Sequence, residues 1–154
     1  MESTTTYLPF EPGINQILQT EVNPSTEHAL TKNSDISILV VEDERINYRL
    51  LEVMLKHMSV RVEHAINGQV AIDLVLKNHY DLVFMDMHMP VMGGIEATKR
   101  LKTLCPNLPI IALTASVMKE DIQCTLDAGC DDVLYKPTRR DQLNDAIRKY
   151  TSYS

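Results

Sequence analysis

From Ile36 onward, short apolar runs alternate with longer stretches in which apolar residues recur every three or four positions. That alternation predicts strands and helices in turn, and so a parallel sheet with helices packed on its faces. ISILVV (36–41) is continuous and β-branched, as expected of a strand buried on both sides. ERINYRLLEVMLKHM (44–58) places Ile46, Leu50, Val53, Met54 and Met58 on one apolar helix stripe. VRVEHA (60–65) reads as a shorter second strand, and 68–78 as a helix with Val70, Ala71, Leu74 and Val75 inward. DLVFM (81–85) is a third strand that stops at Asp86, and 94–104 a helix ending before Pro106. LPIIAL (108–113) is a fourth strand followed by Thr114, and 117–128 a helix stopped by Gly129. DVLY (132–135) is the fifth strand, and 138–150 a last amphipathic helix that Thr138 is placed to cap. The expected fold class is α/β, a doubly wound five-stranded parallel sheet with five helices.

Residues 1–35 break this pattern. They are rich in Thr, Ser, Asn and Glu, carry Pro9, Pro12 and Pro24, and read as a linker or loosely attached arm before a single domain at 36–154. A chain of 154 residues has room for one such core. Its net charge of -6 argues against nucleic acid or an anionic membrane as the main partner. No apolar run approaches the roughly 20 residues that span a bilayer, so a soluble, cytoplasmic domain is expected. Cys105, Cys124 and Cys130 lack CxxC spacing and leave one unpaired. Buried or half-buried thiols are expected, not a zinc site or a disulfide framework.

Chemistry gathers where the strands end. In an open parallel sheet with crossover helices, ligands bind beyond the carboxyl ends of the strands. Glu42 and Asp43 follow the first strand, Asp86 the third, Thr114 the fourth and Lys136 the fifth, so five polar groups converge on one rim. Any one of these acids alone could be a loop-starting or helix-capping residue. Clustered together, carboxylates resist ionisation unless a cation neutralises them, and hard oxygen donors suit Mg²⁺ with a phosphate. Met85, Met87 and Met89 read as gap-filling residues.

ILVVEDERIN, YDLVFMDMHMPVMGGIEATKRLK, PIIALTAS and AGCDDVLYKP, each at the end of the right strand, resemble the response-regulator receiver domain of two-component signalling. The resemblance runs from about Ile38 to the C-terminus and implies a flavodoxin-like strand order 2-1-3-4-5. It also implies that Asp86 accepts a phosphoryl group from a phosphohistidine and that Asp43 binds Mg²⁺ directly. By the same resemblance Glu42 holds the metal through water, and the backbone carbonyl of His88 completes the ligands. Lys136 contacts the phosphoryl oxygens, and Thr114 turns toward the phosphoaspartate, moving the loop between the fourth strand and fourth helix. The His88 side chain reads as a modulator of dephosphorylation, while His28, His57, His64 and His79 read as surface or strand-edge residues. Pro90 and Gly94 shape the loop after Asp86.

Two positions depart from the family pattern. Val133 stands three positions before the lysine, where an aromatic residue is usual, and Tyr135, adjacent to the lysine, is not expected to replace it, because neighbouring strand residues face opposite ways. Gly93 stands where Asp or Asn is frequent. With Ser154 just past the last helix, output is expected through protein contacts, including dimerisation through the fourth helix, fifth strand and fifth helix. The partners implied are a histidine kinase domain or a histidine phosphotransfer protein, with no nucleic acid and no direct membrane contact. ESTTTYLPFEPG resembles the last strand and exit of a histidine-kinase ATP-binding domain, which points to the receiver end of a hybrid histidine kinase. The alternatives are a stand-alone response regulator, or an interaction module that works without phosphate. An aspartyl-phosphate hydrolase usually needs a second Asp where His88 stands.

Overall fold

The computed structural model describes residues 36–153. The expected arm at 1–35, with its kinase-like stretch, therefore lies outside the described residues. Five strands, β1 (Ser37–Val41), β2 (Arg61–Ala65), β3 (Leu82–Asp86), β4 (Ile110–Thr114) and β5 (Asp132–Tyr135), pair in the order β2-β1-β3-β4-β5. Every pairing is parallel. Four helices carry the crossovers, α1 (Arg45–Leu55), α2 (Gly68–Lys77), α3 (Gly94–Leu104) and α4 (Lys119–Asp127), and a fifth, α5 (Arg140–Tyr150), follows the last strand.

The three middle strands are buried on both faces, which is why their sequences run apolar without alternation. Leu39, Val83, Met85 and Ile110 point to one side, against Ala71 and Ile72 of α2 and Ala97 and Leu101 of α3. Ile38, Phe84, Ile111 and Leu113 point to the other, against Leu51 and Leu55 of α1 and Leu143 and Ile147 of α5. The sheet is thus covered on both sides, and its carboxyl edge is left to the loops.

Several local expectations need correction. In α1 the residues that face the sheet are Leu51 and Leu55, with Tyr48 and Met54 packed beside them. Ile46, Leu50 and Val53 are exposed, while Met58 is buried beyond the helix end. The helix carries a second apolar stripe through Tyr48, Leu51 and Leu55, and that stripe wins the sheet. Thr138 does not cap α5; the cap position is Arg139, whose N–H donates to the Gln142 side chain at 3.0 Å. Cys130 is buried and Cys105 half-buried, but Cys124 is exposed on α4.

Two glycines are required by geometry. Gly129, with φ of +113°, ends α4 in a backbone region that L side chains rarely adopt. At Gly94 a Cβ would collide with the Asp86 carbonyl oxygen and lie 2.7 Å from Met87 Cα, both of them backbone atoms. Gly94→Ala is therefore expected to push α3 away from the end of β3 and to destabilise the domain by about 1–3 kcal/mol in urea unfolding. A stability unchanged by the substitution would show that the contact relaxes freely.

Candidate functional site

Four of the five strands deliver chemical groups to the carboxyl edge: Glu42 and Asp43 after β1, Asp86 at the end of β3, Thr114 at the end of β4 and Lys136 after β5. β1 runs out at Glu42, whose N–H still pairs with the Ala65 carbonyl at 3.0 Å as if the strand continued. Glu42 is fully buried, Asp86 is 3 % exposed at the end of β3, and Asp43 sits half-exposed at the mouth. The three offer carboxylate oxygens that all lie within 4.8 Å of one another. Lys136, one residue past β5, bridges two of them, its Nζ 3.1 Å from Glu42 Oε2 and 3.1 Å from Asp86 Oδ1. The Lys136 N–H donates to the Thr114 carbonyl at 2.8 Å, and its peptide bond to Pro137 is cis.

The electrostatics follow from burial. Desolvation pushes the Glu42 carboxyl above its ordinary value, and the Asp86 charge adds to that, against the Glu44 N–H and Lys136. Burial pulls the Lys136 ammonium down, but Asp86 and Glu42 outweigh it and leave it above its ordinary value. Three acids against one lysine leave the cluster short of positive charge. A set of hard oxygen donors with that deficit fits a small divalent cation such as Mg²⁺.

Glu42, Asp43, Glu44, Asn47, Asp86, His88, Ala115 and Lys136 line a hollow of about 220 Å³. His88 donates its N–H to Asp86 Oδ1 at 3.1 Å, while its side chain is exposed. Of the residues singled out in the sequence, Glu42, Asp43, Asp86, His88 and Lys136 meet here. Thr114 is buried at the end of β4 and does not line the hollow; its hydroxyl oxygen accepts the Ser116 N–H at 3.1 Å. Asn47 was not singled out, although its place one turn into the helix after the acidic pair could have flagged it. Asn47 and Lys136 also border a second hollow of about 310 Å³ that runs along α1 past Leu50 and Met54 to Pro137.

Size alone would point elsewhere. A hollow of about 700 Å³ lies at the opposite end of the strands, near Tyr80, Pro109 and Tyr150. Its single lining carboxylate, Asp81, is already engaged by the Ser37 N–H at 2.8 Å and by His79 at 3.1 Å. The chemistry therefore belongs to the smaller, acidic hollow.

β5 requires one more correction. Val133 and Tyr135 are two residues apart and so share a face, opposite to Leu134. Val133 packs against the α2/α3 side of the core and Leu134 against the α1/α5 side, while Tyr135 is 44 % exposed beside Thr114, its register partner on β4.

The sequence model of the response regulator receiver domain matches residues 38–148. The sensor histidine kinase RcsC of Escherichia coli is 38 % identical over 127 residues, which is 82 % of this chain but 13 % of that protein. The receiver domain of sensor histidine kinase PA1611 from Pseudomonas aeruginosa, solved with magnesium coordinated in its active-site cleft, is 33 % identical. Its TM-score is 0.71, with 75 % of this chain and 96 % of that one covered. The Saccharomyces cerevisiae Ssk1 receiver, co-crystallised with the histidine phosphotransfer protein Ypd1, is 32 % identical with a TM-score of 0.71, covering 76 % of this chain and 89 % of that one. Sequence and fold agree across the whole sheet, and the chain belongs to the response regulator receiver domain family of two-component phosphorelay signalling.

Proposed function

We propose that Asp86 accepts a phosphoryl group from a phosphohistidine on a protein partner. The observation that carries this reading is Lys136, 3.1 Å from both Glu42 and Asp86, with Asp43 open at the mouth of the same hollow. An Asp86 carboxylate oxygen attacks phosphorus, the phosphorus–nitrogen bond breaks, and the electron pair returns to the donor imidazole. The rigid end of β3 fixes the direction of attack, and Lys136 offsets charge on the transferring oxygens. Asp43, Asp86 and the His88 carbonyl would hold Mg²⁺ directly, and the metal would neutralise phosphoryl oxygens when bound. Both Glu42 oxygens already accept hydrogen bonds, from the Glu44 N–H at 3.1 Å and Lys136 at 3.1 Å, which favours a link through water.

After transfer, Thr114 turns its hydroxyl toward the new phosphate and gives up the Ser116 N–H, so the loop into α4 moves. Val117, Met118, Leu126 and Tyr135 are exposed around that loop and the α4-β5-α5 face, which would meet targets or a second receiver. The similarity to RcsC supports an origin in a hybrid histidine kinase. A coding sequence without an upstream kinase domain would overturn that origin.

A protein donor is favoured over a small one by α1. Ile46 (80 % exposed), Leu50 (55 %) and Val53 (54 %) stand on the helix that enters the site, and Leu50 lines the hollow that adjoins Lys136. The experiment is transfer of labelled phosphate from a phosphorylated histidine phosphotransfer protein such as Ypd1, with Asp86→Asn as control. Label should appear on the chain as a hydroxylamine-sensitive acyl phosphate and be absent from the control; label that persists in the control would refute the assignment. An Ile46→Ser/Leu50→Ser chain should receive the phosphoryl group roughly ten-fold more slowly from the protein donor while reacting unchanged with acetyl phosphate. Equal slowing with both donors would place those residues in the fold and not in docking.

A further inference from the structure

His64 belongs to β2, an edge strand, and its ring faces α1 alongside Val62. The ring lies flat on Tyr48 of α1, with centroids 3.7 Å apart and planes 6° from parallel. Tyr48 is itself held by its hydroxyl, which donates to Glu52 at 3.2 Å. From this stack His64 Nε2 reaches the main-chain carbonyl of Glu42 at 2.7 Å. A carbonyl only accepts, so the contact requires the proton on Nε2.

That carbonyl matters because of what shares its peptide plane. The Glu42 carbonyl and the Asp43 nitrogen belong to one rigid unit, so holding the carbonyl sets where the Asp43 Cα begins. Every other polar group of Glu42 is already tied: its N–H to Ala65 at 3.0 Å, and its two carboxylate oxygens to Glu44 N–H and Lys136, each at 3.1 Å. The His64 contact is the tie that acts on the step from Glu42 to Asp43. It comes from outside the acidic hollow, which His64 does not line.

We infer that His64 is a positioning residue: seated on Tyr48, its Nε2–H holds the Glu42–Asp43 peptide so that the acidic pair faces Asp86. This rests on the reading of the hollow as the Mg²⁺-dependent phosphoacceptor site. Loss of the contact would widen the range of Asp43 positions and weaken metal capture without removing any ligand. Preorganisation of this kind affects how much metal is needed more than how fast the loaded site reacts.

The test is the Mg²⁺ dependence of phosphoryl uptake from acetyl phosphate, followed by intact mass for the wild-type chain and three variants. His64→Phe keeps an aromatic ring on Tyr48 but has no donor. It should raise the half-saturating Mg²⁺ concentration about five-fold, with the maximal rate within about two-fold of wild type. His64→Gln supplies an N–H of similar reach and should restore most of the affinity. Tyr48→Leu, which removes the seat without touching the site, should shift the Mg²⁺ requirement in the same direction, and it serves if His64→Phe melts early. A merely structural histidine would lower the thermal midpoint of His64→Phe and leave its Mg²⁺ requirement at the wild-type value, and that result overturns the inference. Failure of the wild-type chain itself to respond to Mg²⁺ overturns the site reading and this inference with it.

Discussion

Asp86→Asn is expected to take up no phosphoryl group from either a phosphohistidine protein or acetyl phosphate, while remaining folded. Asparagine has the same shape, can stay in register with Leu113 on β4, and keeps an oxygen to accept the His88 N–H. What it loses is the negative oxygen that attacks phosphorus, and no neighbouring group can substitute. Glu42 is fully buried with both oxygens engaged, and Asp43 comes from a different strand with a different approach to the hollow. The expected loss of uptake is at least about a thousandfold. Stability should stay within about 1 kcal/mol of wild type, because losing the Lys136 pair is offset by relief of repulsion among three clustered carboxylates. Mass spectrometry and urea unfolding separate these two statements.

Lys136→Met is expected to damage both chemistry and stability. Methionine matches the apolar stem of lysine but lacks the ammonium, and so leaves Glu42 and Asp86 facing each other without a cation. Breaking a fully buried pair costs about 3–5 kcal/mol. The Lys136 side chain is 26 % exposed, so a loss of about 2 kcal/mol at neutral pH is expected. Uptake should slow by about a hundredfold, the usual scale for removing one preorganised charge stabiliser.

The pH dependence of that loss has a defined sign. The Lys136 ammonium is held above its ordinary 10.5 in the folded chain, so its contribution is complete below that value and disappears as pH rises through the raised one. The Glu42 carboxyl is also raised, from an ordinary 4.5, so the folded chain prefers it protonated. Stability therefore falls as pH climbs from 4.5 through the raised value, and it falls further where no lysine offsets the charge. The gap between wild type and Lys136→Met should be widest near neutrality and should narrow toward both acid and strong alkali. Urea midpoints at about pH 4, 7 and 11 check this; a gap independent of pH would mean that Lys136 acts through packing alone.

The sheet was legible because its middle strands, ISILVV, DLVFM and LPIIAL, are apolar on both faces, and the polar residues that follow them fall at one edge. Glu42, Asp43, Asp86 and Lys136 converge for that reason, as does the loop containing His88. α1 was misread because it has two helical stripes. Ile46, Leu50 and Val53 keep the spacing as well as Tyr48, Leu51 and Leu55 do, and periodicity alone does not say which stripe meets the sheet. Burial of one left the other exposed on the helix that enters the site.

Other misses have a similar origin. The position of Thr114 was legible, but the turn of its hydroxyl toward Ser116 is a rotamer, which no sequence pattern encodes. Thr138 has a good capping side chain, yet α5 begins two residues later, where Gln142 receives the Arg139 N–H. His64 looked like a strand-edge histidine, and so it is. Its partner is a main-chain carbonyl, 22 residues away in sequence, and backbone partners leave no trace in a motif.

The most direct measurement of the central claim is the intact mass of the purified chain after incubation with Mg²⁺ and acetyl phosphate, beside Asp86→Asn. One added phosphoryl group is expected, dependent on Mg²⁺ and absent from the variant. No addition to the wild-type chain under conditions where it binds Mg²⁺, or equal addition to the variant, would contradict it.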